Sequence, residues 1–240
     1  MTNRALDVAG VDSGYGEVQV LRDLTLHLES DEIVCIIGPN GAGKSTVLKT
    51  VFGLLKPWTG SVELSGRDIT GEEPEDLVRM GYVPQVDNVF SSLTIDENLK
   101  MGGVARSEGL QARIDELYDQ FSILDEKRSA KARTLSGGQR QVLAFARALV
   151  MEPEVLLIDE PSAGLAPNIV QSVFEDVKTV NELGTAVLMV EQNAREGLGI
   201  SDRGYVLDQG TVAYEGDADG LLDDPEVSRL YMGGADYEGE

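Results

Sequence analysis

Ile33-Val34-Cys35-Ile36-Ile37-Gly38-Pro39-Asn40-Gly41-Ala42-Gly43-Lys44-Ser45-Thr46 decides the fold. Five apolar residues in a row read as a central parallel strand, buried on both faces. The next nine contain G-x-x-x-x-G-K-S/T, and a helix is predicted from about Lys44 to Leu54. Strand, glycine-rich loop and helix form the context in which that spacing binds phosphate. The glycines let backbone N–H groups turn inward around phosphate oxygens, and the helix N-terminus adds its positive end. Lys44 supplies a point charge for the β- and γ-phosphates, and Ser45 a hydroxyl for Mg2+. Asn40, Gly41, Ala42, Gly43 and Thr46 complete the predicted cradle.

A second apolar run, Val155-Leu156-Leu157-Ile158, ends in Asp159-Glu160. Adjacent acids at a buried strand end are costly unless a metal or proton faces them. Beside a phosphate loop, Asp159 is predicted to hold the Mg2+ shell and Glu160 to polarise an attacking water. The plain alternative is a cap for a helix starting near Ser162. Gln85 leaves another short strand, Gly81-Tyr82-Val83-Pro84, and from there can reach both metal and water. Tyr15 lies in Ser13-Gly14-Tyr15-Gly16, read as an exposed aromatic in a glycine-flanked turn. Its ring can stack on adenine, with local packing as the competing reading.

The bulk numbers set the outer limits. A chain of 240 residues with 42% hydrophobic content fits one large domain, or a core with an inserted sub-domain. No apolar run approaches the ~20 residues of a membrane span, and Met1–Asp7 lacks a signal-peptide core. An intracellular protein is therefore expected. Cys35 is the only cysteine, so no internal disulfide forms, and its place in the apolar run makes it a core residue. The net charge of -22 argues against nucleic acid as a partner. Acids recur along the whole chain and lysine is scarce beside arginine, which points to a surface adapted to high salt.

Hydrophobic patterning orders the rest. Residues 4–8 and about 18–28 alternate as strands with one wet face, and Gly60–Gly66 holds another strand. From about Val89 to Leu149 the pattern turns helical. Thr94 and Glu97 fit a capping box, Leu110, Ile114, Leu117, Tyr118 and Phe121 keep helical spacing, and a helix runs from about Gly138 to Val150. Strands return at Val155–Ile158 and Ala186–Val190, with a helix over Asn168–Leu183 between them. A hairpin around Asp208-Gln209-Gly210 follows, then a short helix, Pro225–Tyr231, ahead of a loose acidic end. The expected class is α/β, with 89–149 as an inserted helical sub-domain between core segments 1–88 and 150–240.

Leu135-Ser136-Gly137-Gly138-Gln139-Arg140-Gln141 places a second glycine-bearing turn ahead of a helix. Together with the loop at Gly38–Thr46 and the acids at Asp159-Glu160, it resembles the ATP-binding subunit of ABC transporters. The resemblance runs from Tyr15 to about Asp208. It implies a P-loop NTPase (RecA-like) core with an N-terminal antiparallel β sub-domain and an inserted α-helical sub-domain. It also implies that Ser136, Gly137, Gly138 and Gln139 bind ATP held by an opposing subunit, in a head-to-tail pair with two sites. Leu21-Arg22-Asp23-Leu24, Ser162-Ala163-Gly164-Leu165-Ala166-Pro167, Val190-Glu191-Gln192-Asn193-Ala194 and Tyr231-Met232-Gly233-Gly234 look like the LivF-type ATPases of branched-chain amino-acid importers. The ATPases of urea and short-amide importers are the near alternative. The resemblance further implies membrane permease subunits as partners, an extracytoplasmic solute-binding protein acting indirectly, and a peripheral place on the cytoplasmic face of the cell membrane.

Two positions depart from the family pattern. Gln192 stands where a switch histidine is usual, so γ-phosphate sensing through an amide donor is carried over and proton chemistry is not. The sole histidine, His27, falls on a predicted strand and reads as structural. Ala166 stands where an aspartate usually communicates between subunits, which leaves that contact to Ser162 or backbone groups. Both departures suit a pair of two different ATPase chains. A non-transport ABC ATPase, a metabolic P-loop kinase and a nonenzymatic ATP-gated adaptor are the remaining classes. The chain lacks the long coiled-coil insert or basic surface of the first, a kinase has no use for 135–141, and an adaptor would lack Glu160.

Overall fold

The computed structural model describes residues 3–106 and 108–231. Met232-Gly233-Gly234 and the acidic end beyond them lie outside the described residues. Two sheets organise the rest. The N-terminal hairpin β1 (Arg4–Tyr15) and β2 (Val18–Glu29) joins β4 (Thr59–Leu64) and β5 (Arg67–Asp68) in an antiparallel sheet of order β2-β1-β4-β5. The second sheet contains β3 (Ile33–Ile37), β6 (Met80–Val83), β7 (Val155–Asp159), β8 (Ala186–Val190), β9 (Arg203–Asp208) and β10 (Thr211–Asp217). Its order is β10-β9-β3-β8-β7-β6, parallel except for the β9–β10 hairpin.

The continuous apolar runs form the strands predicted from them, and every residue of β3, β7 and β8 is buried. Alternation along these strands feeds two separate cores. Val34, Ile36 and Leu157 join Leu6, Leu26 and Val47 under the antiparallel sheet. Cys35, Ile37 and Ile158 join Leu99, Phe145 and Phe174 under the helices. Each fully buried aliphatic or aromatic side chain contributes about 1.5–3 kcal/mol of transfer free energy. Burial pushes the Cys35 thiol well above its ordinary pKa, in keeping with a packed core residue.

Between β6 and β7 the chain is helical. It runs through α2 (Ile95–Gly102), α3 (Leu110–Gln120), α4 (Ser122–Asp125) and α5 (Gly137–Leu149). The capping box predicted at α2 is present: Thr94 Oγ1 accepts from the Glu97 N–H, and Glu97 accepts from the Thr94 N–H. Helix α1 (Lys44–Val51) follows the phosphate loop, and α6 (Pro167–Glu182) links β7 to β8. Helices α7 (Ala194–Leu198), α8 (Ala218–Asp223) and α9 (Pro225–Tyr231) complete the described chain. Among the described residues no helix is long and apolar enough to cross a membrane.

Three expectations need correction. Strand β1 does not stop at residue 8 but continues to Tyr15, so Tyr15 ends a strand rather than sitting inside a turn. Register shifts between Val8 and Gly14 break its alternation, which hid the strand. Helix α1 stops at Val51, short of Leu54, because Gly53 adopts φ +76° just beyond it. The segment near Ser162 does not start a helix, since α6 begins at Pro167 with Ala166 before it. Neither Asp159 nor Glu160 is therefore a helix cap.

Candidate functional site

The phosphate loop leaves the C-terminal end of β3 and enters α1 through Gly43. Gly43 sits at φ +106°, in the left-handed region, where any side chain is strained. No side chain caps α1, so its first N–H groups are left for a ligand. Lys44 is 5% exposed, and its Nζ donates to the carbonyls of Gly38 (2.9 Å) and Pro39 (3.3 Å).

The acids of β7 meet this loop. Ser45 Oγ donates to Asp159 Oδ1 at 2.8 Å, and Tyr82 Oη donates to Asp159 Oδ2 at 3.4 Å. Burial, then the charge of Asp159, pushes the Tyr82 phenol upward, so the donor stays protonated. Glu160 bends out of the sheet at φ +46°, an uncommon conformation for a residue with a side chain. Its Oε2 accepts from Gln85 Nε2 at 2.7 Å, and its Oε1 lies 3.9 Å from Lys44 Nζ. An open cleft of about 300 Å³ is lined by Val20, Asn40, Gly41, Lys44, Ser45 and Glu160, among others.

The second glycine turn is built differently. Ser136 caps α5 in a capping box, accepting from the Gln139 N–H at 3.3 Å while Gln139 Oε1 accepts from the Ser136 N–H at 3.3 Å. Lys127 also donates to Gln139 Oε1 at 3.2 Å. None of Ser136, Gly137, Gly138 and Gln139 lines the cleft of the phosphate loop. Gly137 instead shares a second cleft, of about 310 Å³, with Gln85, Asn88, Gln141 and Leu165. A side chain on Gly137 would meet Leu165 Cδ2 at 2.6 Å, so the leucine side chain would have to turn aside to admit it.

Of the predicted residues, Asn40, Gly41, Gly43, Lys44, Ser45, Thr46 and Glu160 thus share one cleft, and Asp159 and Gln85 touch its members. Ala42 is buried in the same loop. Tyr15 is 46% exposed beside α1, its ring 5.9 Å from Lys49 Nζ, and does not line the cleft. The Gln192 side chain is exposed just beyond β8. Ser162 Oγ, one of the groups considered for contact between subunits, is engaged within the chain by Glu191 at 2.9 Å.

Sequence reasoning passed over three features. Val20 lines the cleft from β2, Tyr82 holds Asp159, and Asn88 Nδ2 donates to Gln141 Oε1 at 2.9 Å, tying the Gln85 loop to α5. Tyr82 stood in the predicted strand next to Gln85, so adjacency was the available signal. Val20 and Asn88 gave none.

Residues 21–163 match the family profile described as ABC transporter. The chain belongs to the ABC transporter family. It is an ATPase of that family, and its substrate is ATP. The cassette is 40% identical to the high-affinity branched-chain amino acid transport ATP-binding protein BraG of Pseudomonas aeruginosa, over 93% of this chain and 97% of that one. It is 41% identical to the probable branched-chain amino acid transport ATP-binding protein LivF of Archaeoglobus fulgidus, over 93% and 96%. Among solved structures, the ADP conformation of an ATP-binding cassette of an ABC transporter superposes with a TM-score of 0.87 at 27% identity, covering 96% of this chain and 99% of that one. A nucleotide-free ATP-binding cassette gives 0.85 at 27% identity, over 96% and 99%.

Proposed function

We propose that the cassette is the ATP-hydrolysing subunit of an importer for branched-chain amino acids, driving uptake through separate membrane permeases from the cytoplasmic face of the membrane. The observation that carries this reading is the 40% and 41% identity, over 93% of the chain, to proteins named for that transport. Identity is lower, 35%, to the lipopolysaccharide export ATP-binding protein LptB of Acidithiobacillus ferridurans, which favours import.

Lys44 and the loop backbone hold the ATP phosphates. Glu160 orients water for in-line attack, Gln85 fixes the Glu160 carboxylate, and the Gln192 amide senses the γ-phosphate. Tyr15 stacks on the adenine. The oxygens of Ser45, Asp159 and Gln85 suit Mg2+, a hard cation that prefers oxygen ligands and would keep phosphate oxygens and water beside the Asp159 carboxylate. Ser45 Oγ and Asp159 Oδ1, already 2.8 Å apart, are the nearest such pair. When bound, the ion neutralises charge on the phosphates.

Ser136, Gly137, Gly138 and Gln139 act on the ATP of an opposing subunit, consistent with their absence from the lining of their own chain's cleft. Gln192 and Ala166 favour a second, different ATPase as that subunit. Residues 89–149 move as a helical unit against the core. A groove lined by Val78, Tyr82, Phe90, Met101 and Met151, with Glu75 and Arg147 among its walls, runs from β6 to the helices, with Phe90 on the Gln85 loop. It receives an amphipathic helix of the permease, and a solute-binding protein on the far side of the membrane acts on the cassette through the membrane subunits.

The test is reconstitution in proteoliposomes with branched-chain amino-acid permeases, their binding protein and a second ATPase from the same organism. ATP-driven uptake of radiolabelled leucine is the expected result. Uptake of urea without leucine would move the solute to the short amides, and no ATP-driven uptake at all would overturn the reading.

The acidic surface is read as adaptation to high salt. With a net charge of -22, self-repulsion outweighs the exposed ion pairs, so screening stabilises the fold. Raising KCl from about 0.1 M to about 1 M, which cuts the Debye length from about 10 Å to about 3 Å, should raise Tm. A Tm already maximal in dilute buffer would refute this.

A further inference from the structure

Glu191 follows β8 and is 1% exposed, yet nothing in the reading above gives it work. A carboxylate taken so far out of water is costly unless its lone pairs are engaged. Here donors come from two loops. Oε1 accepts the Ser162 N–H at 2.9 Å. Oε2 accepts the Ser162 hydroxyl at 2.9 Å, the Gln192 N–H at 3.1 Å and the Asn193 N–H at 3.2 Å. Burial raises the Glu191 pKa, and the hydrogen bonds from Ser162 and Asn193 oppose that rise.

The position of these donors matters more than their number. Ser162 lies two residues beyond Glu160, across Pro161. Gln192 and Asn193 form the start of the loop read as the γ-phosphate sensor. Glu160 is held in a left-handed conformation at φ +46°, and its N–H donates to the carbonyl of Val190 at 3.0 Å. The turn that presents Glu160 is therefore anchored on one side by Val190 and on the other by Glu191. A strained residue keeps such a conformation only where its surroundings fix it.

We propose that Glu191 is a positioning residue for hydrolysis: its buried carboxylate clamps the turn after Glu160 to the loop of Gln192 and holds both in register with the γ-phosphate. The proposal rests on the reading that Glu160 orients the attacking water. Only a carboxylate suits the place. A glutamine has one acceptor oxygen, and its amide would point N–H groups at at least one of the N–H donors from Ser162, Gln192 or Asn193. Ser162→Ala removes the hydroxyl bond and leaves the backbone bond to Glu191.

The experiment measures hydrolysis and equilibrium ATP binding for the assembled transporter, with its second ATPase, in which this chain carries Glu191→Gln, Ser162→Ala, both together, or Glu160→Gln. Glu191→Gln should lower kcat about tenfold to a hundredfold, the scale of a small misplacement of a catalytic group. The KM for ATP should stay within about threefold, because the phosphate loop is untouched. Ser162→Ala, a partly exposed site that should not disturb folding, should show the same split at smaller size. The double variant should be no worse than Glu191→Gln alone, because both changes break one clamp. Wild-type kcat in a folded Glu191→Gln protein overturns the clamp, as does a parallel rise in KM with additive effects in the double variant. If those failures occur while Glu160→Gln abolishes hydrolysis, the clamp alone is wrong. Hydrolysis retained in Glu160→Gln overturns both readings.

Discussion

Glu160→Gln abolishes turnover and leaves ATP bound. The rate should fall about 10²–10⁴-fold, the range for loss of a positioned general base, while affinity for ATP changes little. The wild-type carboxylate accepts from Gln85 Nε2 at 2.7 Å and has its other oxygen 3.9 Å from Lys44 Nζ. A glutamine keeps the shape and, through its single oxygen, the bond to Gln85. Its amide nitrogen then faces the lysine ammonium, and it cannot take a proton from water. The groups that hold the phosphates are unchanged, so a binding-competent, hydrolysis-dead protein should accumulate with ATP in a closed pair with the second ATPase. Single-turnover hydrolysis together with the mass of the ATP-bound species by light scattering tests this. Hydrolysis at the wild-type rate would show that another group serves the water.

Lys44→Ala should fail at the preceding stage. Nucleotide affinity and kcat/KM should both drop, the latter about 10³-fold, roughly 4 kcal/mol at 1.36 kcal/mol per decade. The Lys44 side chain is almost fully buried and packed against the loop carbonyls of Gly38 and Pro39, and in the proposed mechanism its one ammonium serves both β- and γ-phosphates. The loop should survive the change, because its backbone course is set by glycines such as Gly43 at φ +106°. Arginine should not rescue activity, since a planar fork does not replace a compact point charge at a buried site. Calorimetric titration with Mg-ATP separates the two variants: Glu160→Gln binds without turning over, and Lys44→Ala does neither well. A wild-type Kd for Lys44→Ala would refute the assignment.

The nucleotide side of the molecule was legible because its chemistry is local in sequence. Ile33–Thr46 supplies strand, loop and helix in one stretch, and the run ending at Asp159 marks a second strand whose end meets the same loop. The capping box at Thr94 was legible for the same reason, since both partners lie within four residues. What escaped depends on partners far apart in the chain. Glu191 looks like an ordinary loop acid until the fold brings Ser162 to it from 29 positions away. Asn88 carries no signal without Gln141, 53 positions on. Strand β1 was cut short because alternation is the usual mark of a half-buried strand, and bulges between Val8 and Gly14 erase it.

The two apolar clusters on opposite faces of the six-stranded sheet have a mechanical consequence. Alternate residues of β3 and β7 belong to different compartments, so each strand is packed from both sides. The last apolar residues before the loop and before the acid pair, Ile37 and Ile158, both face the helical compartment, so the ends of β3 and β7 rest directly on the helical layer. Polar tethers run beside that packing, Asn88 to Gln141 and Gln85 to Glu160. A displacement of the helices thus has two parallel routes to the nucleotide side, one through buried side chains and one through directional bonds, and loss of either alone should weaken the link without cutting it.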